Sequence, residues 1–124
     1  MTAWSYSSIK TFEQCPKKYF HLKVVKDVKD EPGEAAQYGT DFHEAAELYI
    51  KDGTPIPPKF KQYASVVEAL ANFPGQKHTE LKLGVRITDK GYEPCGFFAK
   101  DVWWRGIVDL LIVNGETAHM IDYK

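Results

Sequence analysis

The segment that most constrains this chain is residues 102–123. Val102 to Val113 is a β-branched, aliphatic and aromatic run interrupted only by Arg105, Gly106 and Asp109. Branched and aromatic side chains fit a pleated, half-buried surface, so the run predicts a strand, and its length predicts a central one. Asn114-Gly115 follows, and Thr117 to Tyr123 then returns as a second apolar segment. Asn-Gly between two such segments is a strong signal for a two-residue hairpin, because both residues tolerate the positive φ that the turn demands. An antiparallel hairpin is therefore expected.

Hairpin numbering places the side chains. With Asn114-Gly115 as the loop, Val113 faces Glu116, Asp109 faces Met120 and Ile107 faces Asp122. Facing residues project to one side of the sheet, so Ile107, Asp109, Met120, Asp122 and Lys124 share a face. Asp109 and Asp122 are then diagonal neighbours, about 7–8 Å apart at the backbone. Their side chains can converge on one cation, at about 2.0–2.1 Å for Mg2+. Lys124 lies beside Asp122 on the same face. A four-residue loop keeps this parity and a three-residue loop with a bulge breaks it. An alternative is an edge hairpin whose charges are simply solvated. Asp109 weighs against it, because a carboxylate inside an apolar strand needs a metal or an ion-pair partner. Lys124 as that partner is a purely structural alternative.

Upstream of the sheet the pattern is helical. Ser5 or Ser7 can cap a helix, and Ile9, Phe12, Tyr19 and Leu22 recur at roughly helical spacing. Pro16 interrupts that run, so a kink or two short helices meeting at Cys15-Pro16 are expected. A second helix is predicted over 34–50, with Ala35, Tyr38, Phe42, Ala45 or Ala46, and Tyr49 along one side. Residues 52–58 read as a loop, and a third helix over 59–73 carries Phe60, Tyr63, Val67, Leu70 and Phe73. Thr79, Leu81, Leu83, Val85 and Ile87 alternate with polar residues, which predicts a half-buried strand. Asp89-Lys90-Gly91 is a turn, and 95–100 a further short strand. Helices first and strands later indicate an α+β (mixed α/β) domain, N-terminal helices packed on a central mixed sheet. One domain over 1–124 is expected, helical to about residue 75 and sheet from about residue 76.

Composition narrows the class. With 124 residues and 44% apolar content the chain can build a core, and a net charge of −1 means that any nucleic-acid contact needs a local basic surface. Lys10, Lys17, Lys18, Lys23, Lys26 and Lys29 cluster over 10–29 against Glu13 and Asp27, with Tyr19, Phe20 and His21 interleaved. They read either as a DNA-backbone surface with stacking aromatics or as a solvated helix face with its rings in the core. The distant Cys15 and Cys95 fit free thiols in a reducing compartment. With neither a signal-like N-terminus nor a long apolar run, a cytoplasmic protein without a membrane span is expected.

Four motifs in order carry a family resemblance. Asp122-Tyr123-Lys124 follows an apolar strand, and Gly106 to Asp109 supplies Gly-x-x-Asp upstream. Ser5 to Phe20 runs from serines through an aromatic to Cys15-Pro16, and Gly39-Thr40-Asp41-Phe42-His43 gives Gly-x-x-x-His. Together they resemble the PD-(D/E)XK nuclease superfamily, and within it the RecB-like branch that includes CRISPR-associated RecB-like exonucleases. The resemblance spans nearly the whole chain. It implies a restriction-endonuclease-like core and a divalent-metal-dependent DNA nuclease, an exonuclease by association. It implies Mg2+ or Mn2+ held by His43, Asp109, Asp122 and the backbone carbonyl of Tyr123, with Lys124 as the catalytic lysine. Glu80 falls where relatives often carry an acidic residue. Lys10, Lys17, Lys18, Tyr19 and Lys23 become candidate DNA contacts.

Some residues carry competing readings. A helical histidine beside an aromatic stripe, as His43 is, can be purely structural. His43-Glu44-Ala45-Ala46-Glu47 differs from the zinc motif HExxH at its second histidine, which argues against a zinc protease; Glu47 does lie one turn from His43 on the same face. Members of the branch continue past the lysine into a helix and a strand with Gln-x-x-x-Tyr. A core truncated after the catalytic-lysine strand is therefore expected, its sheet completed by self-association or a further C-terminal segment. Some members hold an iron–sulfur cluster through four cysteines. Cys15 matches the first and the others have no counterpart, so no cluster is expected. The rival reading is a non-catalytic DNA-binding or partner-interaction domain with a nuclease-like fold.

Overall fold

The computed structural model describes residues 3–123. It is an α+β chain with helices α1 (Tyr6–Gln14), α2 (Pro16–Tyr19), α3 (Glu34–Asp52) and α4 (Ala64–Asn72). Strands are β1 (Gln76–Thr88), β2 (Gly91–Cys95), β3 (Trp104–Asn114) and β4 (Thr117–Ile121), in the sheet order β2-β1-β3-β4. The β1–β2 and β3–β4 ladders are antiparallel, and Trp4 adds a single parallel bridge to Trp104. The chain divides into two compact units, one from residues up to Glu31 together with Lys82–Ile107, the other from Pro32–Leu81 together with residues from Val108 onward. No helix among the described residues is long and apolar enough to cross a membrane.

In the first unit, α1 begins at a reciprocal cap. Ser8 N–H donates to Ser5 Oγ at 3.3 Å, while Ser5 N–H donates to Ser8 Oγ at 2.8 Å. Pro16 ends it, as expected. Cys15 then caps α2, its Sγ accepting from Lys18 N–H at 3.4 Å, and the chain continues as a π-helical segment over Phe20–Val25. Tyr19 is 8% exposed. Its ring stacks on Trp4 at 5.5 Å and meets Phe12 edge-on at 5.4 Å. The expected strand over 95–100 is not formed. Strand β2 lies just before it, and Ala99 N–H donates to Gly96 O and Val102 N–H to Ala99 O, so successive turns use the backbone groups that a ladder would need. Pro94 is tolerated in β2 because β2 is the outermost strand.

In the second unit, Ala45 and Ala46 form the buried side of α3, and Phe60, Val67, Leu110 and Ile112 are the largest fully buried side chains. Phe60 belongs to a 3-10 turn, Pro58–Tyr63, that leads into α4, where one continuous helix was expected; Pro57 and Pro58 set the extended entry. Gly75 has φ +134°, and a Cβ there would lie 2.7 Å from Val113 O and 2.9 Å from Ile112 Cγ2. Only glycine permits that approach of the start of β1 to β3.

The regular alternation expected along β1 is interrupted. Glu80 sits inside the strand with φ +47°, in the left-handed region that glutamate rarely adopts. Beyond it Leu83 and Ile87, expected on the core side, are 48% and 55% exposed, while Gly84 is buried. A left-handed residue in a strand breaks the two-residue period, as bulges do.

The hairpin closes one residue later than its Asn-Gly signal. Asn114 pairs with Thr117, so the loop is Gly115-Glu116. Gly115 has φ +60° and Glu116 is not in the positive-φ region, which fits a type II′ turn, where only the first loop residue needs it.

Candidate metal centre

The shift of the loop preserves side-chain parity, because it moves both ends by one residue. Leu110 pairs with Ile121, and one further step of that register brings Asp122 opposite Asp109 rather than diagonal to it. The Asp122 carboxyl is near enough to raise the proton affinity of Asp109. Asp109 is flanked by Val108 and the fully buried Leu110, and its side chain is only 12% exposed. Its Oδ2 accepts the backbone N–H of Tyr123 at 2.9 Å, which ties the residues after β4 to β3.

Helix α3 supplies the imidazole. His43 Nδ1 lies 3.3 Å from Asp109 Oδ1, and His43 Nε2 lies 3.1 Å from the carbonyl oxygen of Tyr123. The Tyr123 ring meets His43 edge-on at 5.3 Å and Phe42 at 5.7 Å, which fixes the imidazole plane. Nitrogen or oxygen donor atoms of His43, Glu80 and Asp109 all lie within 4.8 Å of one another, and all three residues are half-buried. The left-handed backbone at Glu80 falls within this cluster. Strained positions of that kind persist only where the surroundings hold them.

Acidic groups and burial together set the electrostatics of this cluster. Burial pushes the Asp109 carboxyl above its ordinary range; Tyr123 N–H opposes this, the Asp122 carboxyl adds to it, and His43 counters it. Burial also pushes the Tyr123 phenol up to about 12, reinforced by the charges of Asp109, Glu80 and Glu47. The phenol oxygen is buried without a hydrogen-bond partner among the described residues.

The donor set fits a hard divalent cation. It offers one imidazole, two carboxylates and a carbonyl, with no thiolate. A neutral imidazole has a single N–H, so it cannot donate both to Asp109 and to the Tyr123 carbonyl. A proton on the Asp109 carboxyl, which burial favours, or a cation between the groups satisfies both contacts.

Of the expected residues, His43, Asp109 and Tyr123 are brought together, and Glu80 joins His43 and Asp109 in a three-donor cluster that does not include Asp122. Asp122 is exposed, follows β4 and acts on the Asp109 carboxyl electrostatically. Lys124 lies outside the described residues. Lys10, Lys17 and Lys18 are exposed and Lys23 half-exposed, and Lys18 pairs with Asp30 at 3.5 Å. Tyr19, expected with them on a DNA surface, has its ring in the core of the first unit.

Two cleft features were not assigned from sequence. Thr40, His43, Glu44, Glu47 and Glu80 line a cleft of about 430 Å³. An apolar cavity of about 540 Å³ is bounded by Tyr38, Phe42 and Tyr63 on one side and by His43, Asp122 and Tyr123 on another. The helical spacing of His43 and Glu47 was the available signal for the first, and the aromatic stripe of α3 for the second.

No curated protein and no solved structure matches the chain. Residues 3–124 match the family model of the PD-(D/E)XK nuclease superfamily. That match covers almost every residue and includes the strand-borne aspartates and the helical histidine that converge here, and the chain belongs to the PD-(D/E)XK nuclease superfamily.

Proposed function

We propose that the chain is a Mg2+- or Mn2+-dependent DNA nuclease of the RecB-like branch, acting as an exonuclease. The observation that carries this reading is the convergence of His43, Glu80 and Asp109 within 4.8 Å, beside the Tyr123 carbonyl. These groups and Asp122 would hold the cation. When bound, it supplies Lewis acidity toward phosphate oxygens and acidifies water.

The side chains have distinct tasks in this reading. His43 and Asp109 are each held by a second contact, so they meet an incoming phosphodiester without rearranging. Asp122 is exposed and lines the apolar cavity, open to an incoming substrate. Lys124 orients the attacking water and offsets the negative charge that grows on phosphorus oxygens. Water oxygen bonds to phosphorus, the bridging P–O bond breaks and the leaving oxygen takes a proton. The products are a hydroxyl end and a phosphate monoester end. Lys10, Lys17, Lys18 and Lys23 contact the DNA backbone.

Labelled DNA incubated with the protein and Mn2+, with and without chelator, tests the proposal. Cleavage that needs metal and disappears in Asp122→Ala and Lys124→Ala is expected. DNA retention without cleavage would instead favour a non-catalytic binding domain, and neither retention nor cleavage would end both readings.

A further inference from the structure

We propose that Glu47 is a positioning residue of the metal centre: its carboxylate anchors Thr79 and thereby sets the carboxylate of Glu80 toward His43 and Asp109. The inference rests on the metal-dependent reading above.

Three observations meet at this point. Glu47 lies one helical turn beyond His43 on α3, so both side chains leave the same face. Thr79 Oγ1 donates to Glu47 Oε1 at 3.5 Å. The next residue, Glu80, lines the same cleft as His43 and Glu47 and belongs to the three-donor cluster.

Regular strand geometry forbids this arrangement. Successive side chains of a strand point to opposite faces, so a Thr79 that reaches α3 would turn Glu80 away from it. Glu80 escapes that rule through its φ of +47°. Such a backbone is disfavoured for glutamate and is kept only if neighbouring contacts hold it. The Thr79–Glu47 hydrogen bond is a contact placed to do so, since it fixes the residue directly before the left-handed one. The carboxylate of Glu47 therefore acts as an acceptor that holds β1 in its kinked form.

This role predicts a pattern across substitutions. Glutamine keeps an acceptor oxygen at position 47, so Glu47→Gln retains the anchor, whereas Glu47→Ala removes it. Thr79→Ser keeps the hydroxyl and Thr79→Val removes it at nearly constant volume. Removing a group that orients a ligand weakens metal binding by about 10–100-fold.

Calorimetric titration with Mn2+ alone on the full chain, with thermal melts to establish folding, reads this out. Glu47→Ala and Thr79→Val should each bind Mn2+ at least about 10-fold more weakly. Glu47→Gln and Thr79→Ser should stay near wild type, and the Glu47→Ala/Thr79→Val double variant should be no worse than either single one. Wild-type affinity in folded Glu47→Ala, or additive losses in the double variant, would overturn the anchor. So would Glu47→Gln binding as weakly as Glu47→Ala, because Glu47 would then act through its charge. His43→Ala separates this from the underlying reading. If His43→Ala binds Mn2+ as well as wild type, or wild type does not bind it, the metal centre itself is refuted and the role of Glu47 with it.

Discussion

Replacing Asp109 with asparagine separates the metal role of this residue from its structural one. Asparagine keeps an oxygen that can accept the Tyr123 N–H now held at 2.9 Å, so the connection between the end of β4 and β3 survives. It removes the charge that meets His43 Nδ1 at 3.3 Å and one of the two carboxylates in the three-donor cluster. Mn2+ at a hundred times its dissociation constant stabilises a folded protein by about 2.7 kcal/mol. For a chain of this size, about 3–5 °C per kcal/mol gives a rise of about 8–13 °C in Tm. A hundredfold loss of affinity leaves about 0.4 kcal/mol at the same concentration, or about 1–2 °C.

The metal-free comparison has the opposite sign. Burial, with the neighbouring Asp122 carboxyl, holds the Asp109 carboxyl above its ordinary range. The folded chain therefore keeps this proton to higher pH than the unfolded chain. Metal-free wild type loses that part of its stability as pH rises from the ordinary carboxylate value through the raised one. Asp109→Asn has no such proton, so its stability relative to wild type should improve between pH 4 and pH 7. Differential scanning fluorimetry with chelator and with Mn2+, across that range, measures both effects. An Asp109→Asn protein with the full Mn2+-induced shift would refute the placement of Asp109 in the centre. A metal-free variant that is destabilised equally at every pH would show that the carboxylate is held for structure alone.

Other substitutions probe the frame and the DNA surface. Gly75→Ala puts a Cβ against Val113 O and Ile112 Cγ2 at a φ of +134°, and should lose about 1–3 kcal/mol in chemical denaturation. Phe60→Ala empties the fully buried position beside Phe42 and Tyr38, and should cost about 3–5 kcal/mol. Changing Lys10, Lys17, Lys18 and Lys23 to glutamine should weaken DNA retention and flatten the slope of its salt dependence by about 0.9 for each duplex phosphate that is no longer neutralised; an unchanged slope would remove these lysines from the interface.

Much of the site was legible because it rests on short-range chemistry. Asn114-Gly115 announced a hairpin, and the true loop, Gly115-Glu116, keeps the parity that puts Asp109 and Asp122 on one side. The Cys15-Pro16 break followed from the missing proline N–H, and the span of α3 from its alanine-rich, periodic sequence. Glu80, like His43 and the Tyr123 carbonyl, was legible as a candidate ligand only through family resemblance. No local pattern announces a glutamate at φ +47°, and the alternation of β1 concealed the interruption by pointing to Leu83 and Ile87 as core. Tyr19 sits among lysines in sequence, but its ring is claimed by Trp4 and Phe12, a tertiary choice that charge spacing does not encode. Glu47 could be placed on the His43 face, whereas its link to Thr79 spans 32 positions and emerges only on folding.

The convergence of His43, Glu80 and Asp109 on one divalent ion is tested most directly by anomalous diffraction from crystals grown with Mn2+. One anomalous peak is expected, within coordinating distance of those three side chains and of the Tyr123 carbonyl. A peak elsewhere, or none at a Mn2+ concentration that saturates calorimetric binding, would contradict the metal centre.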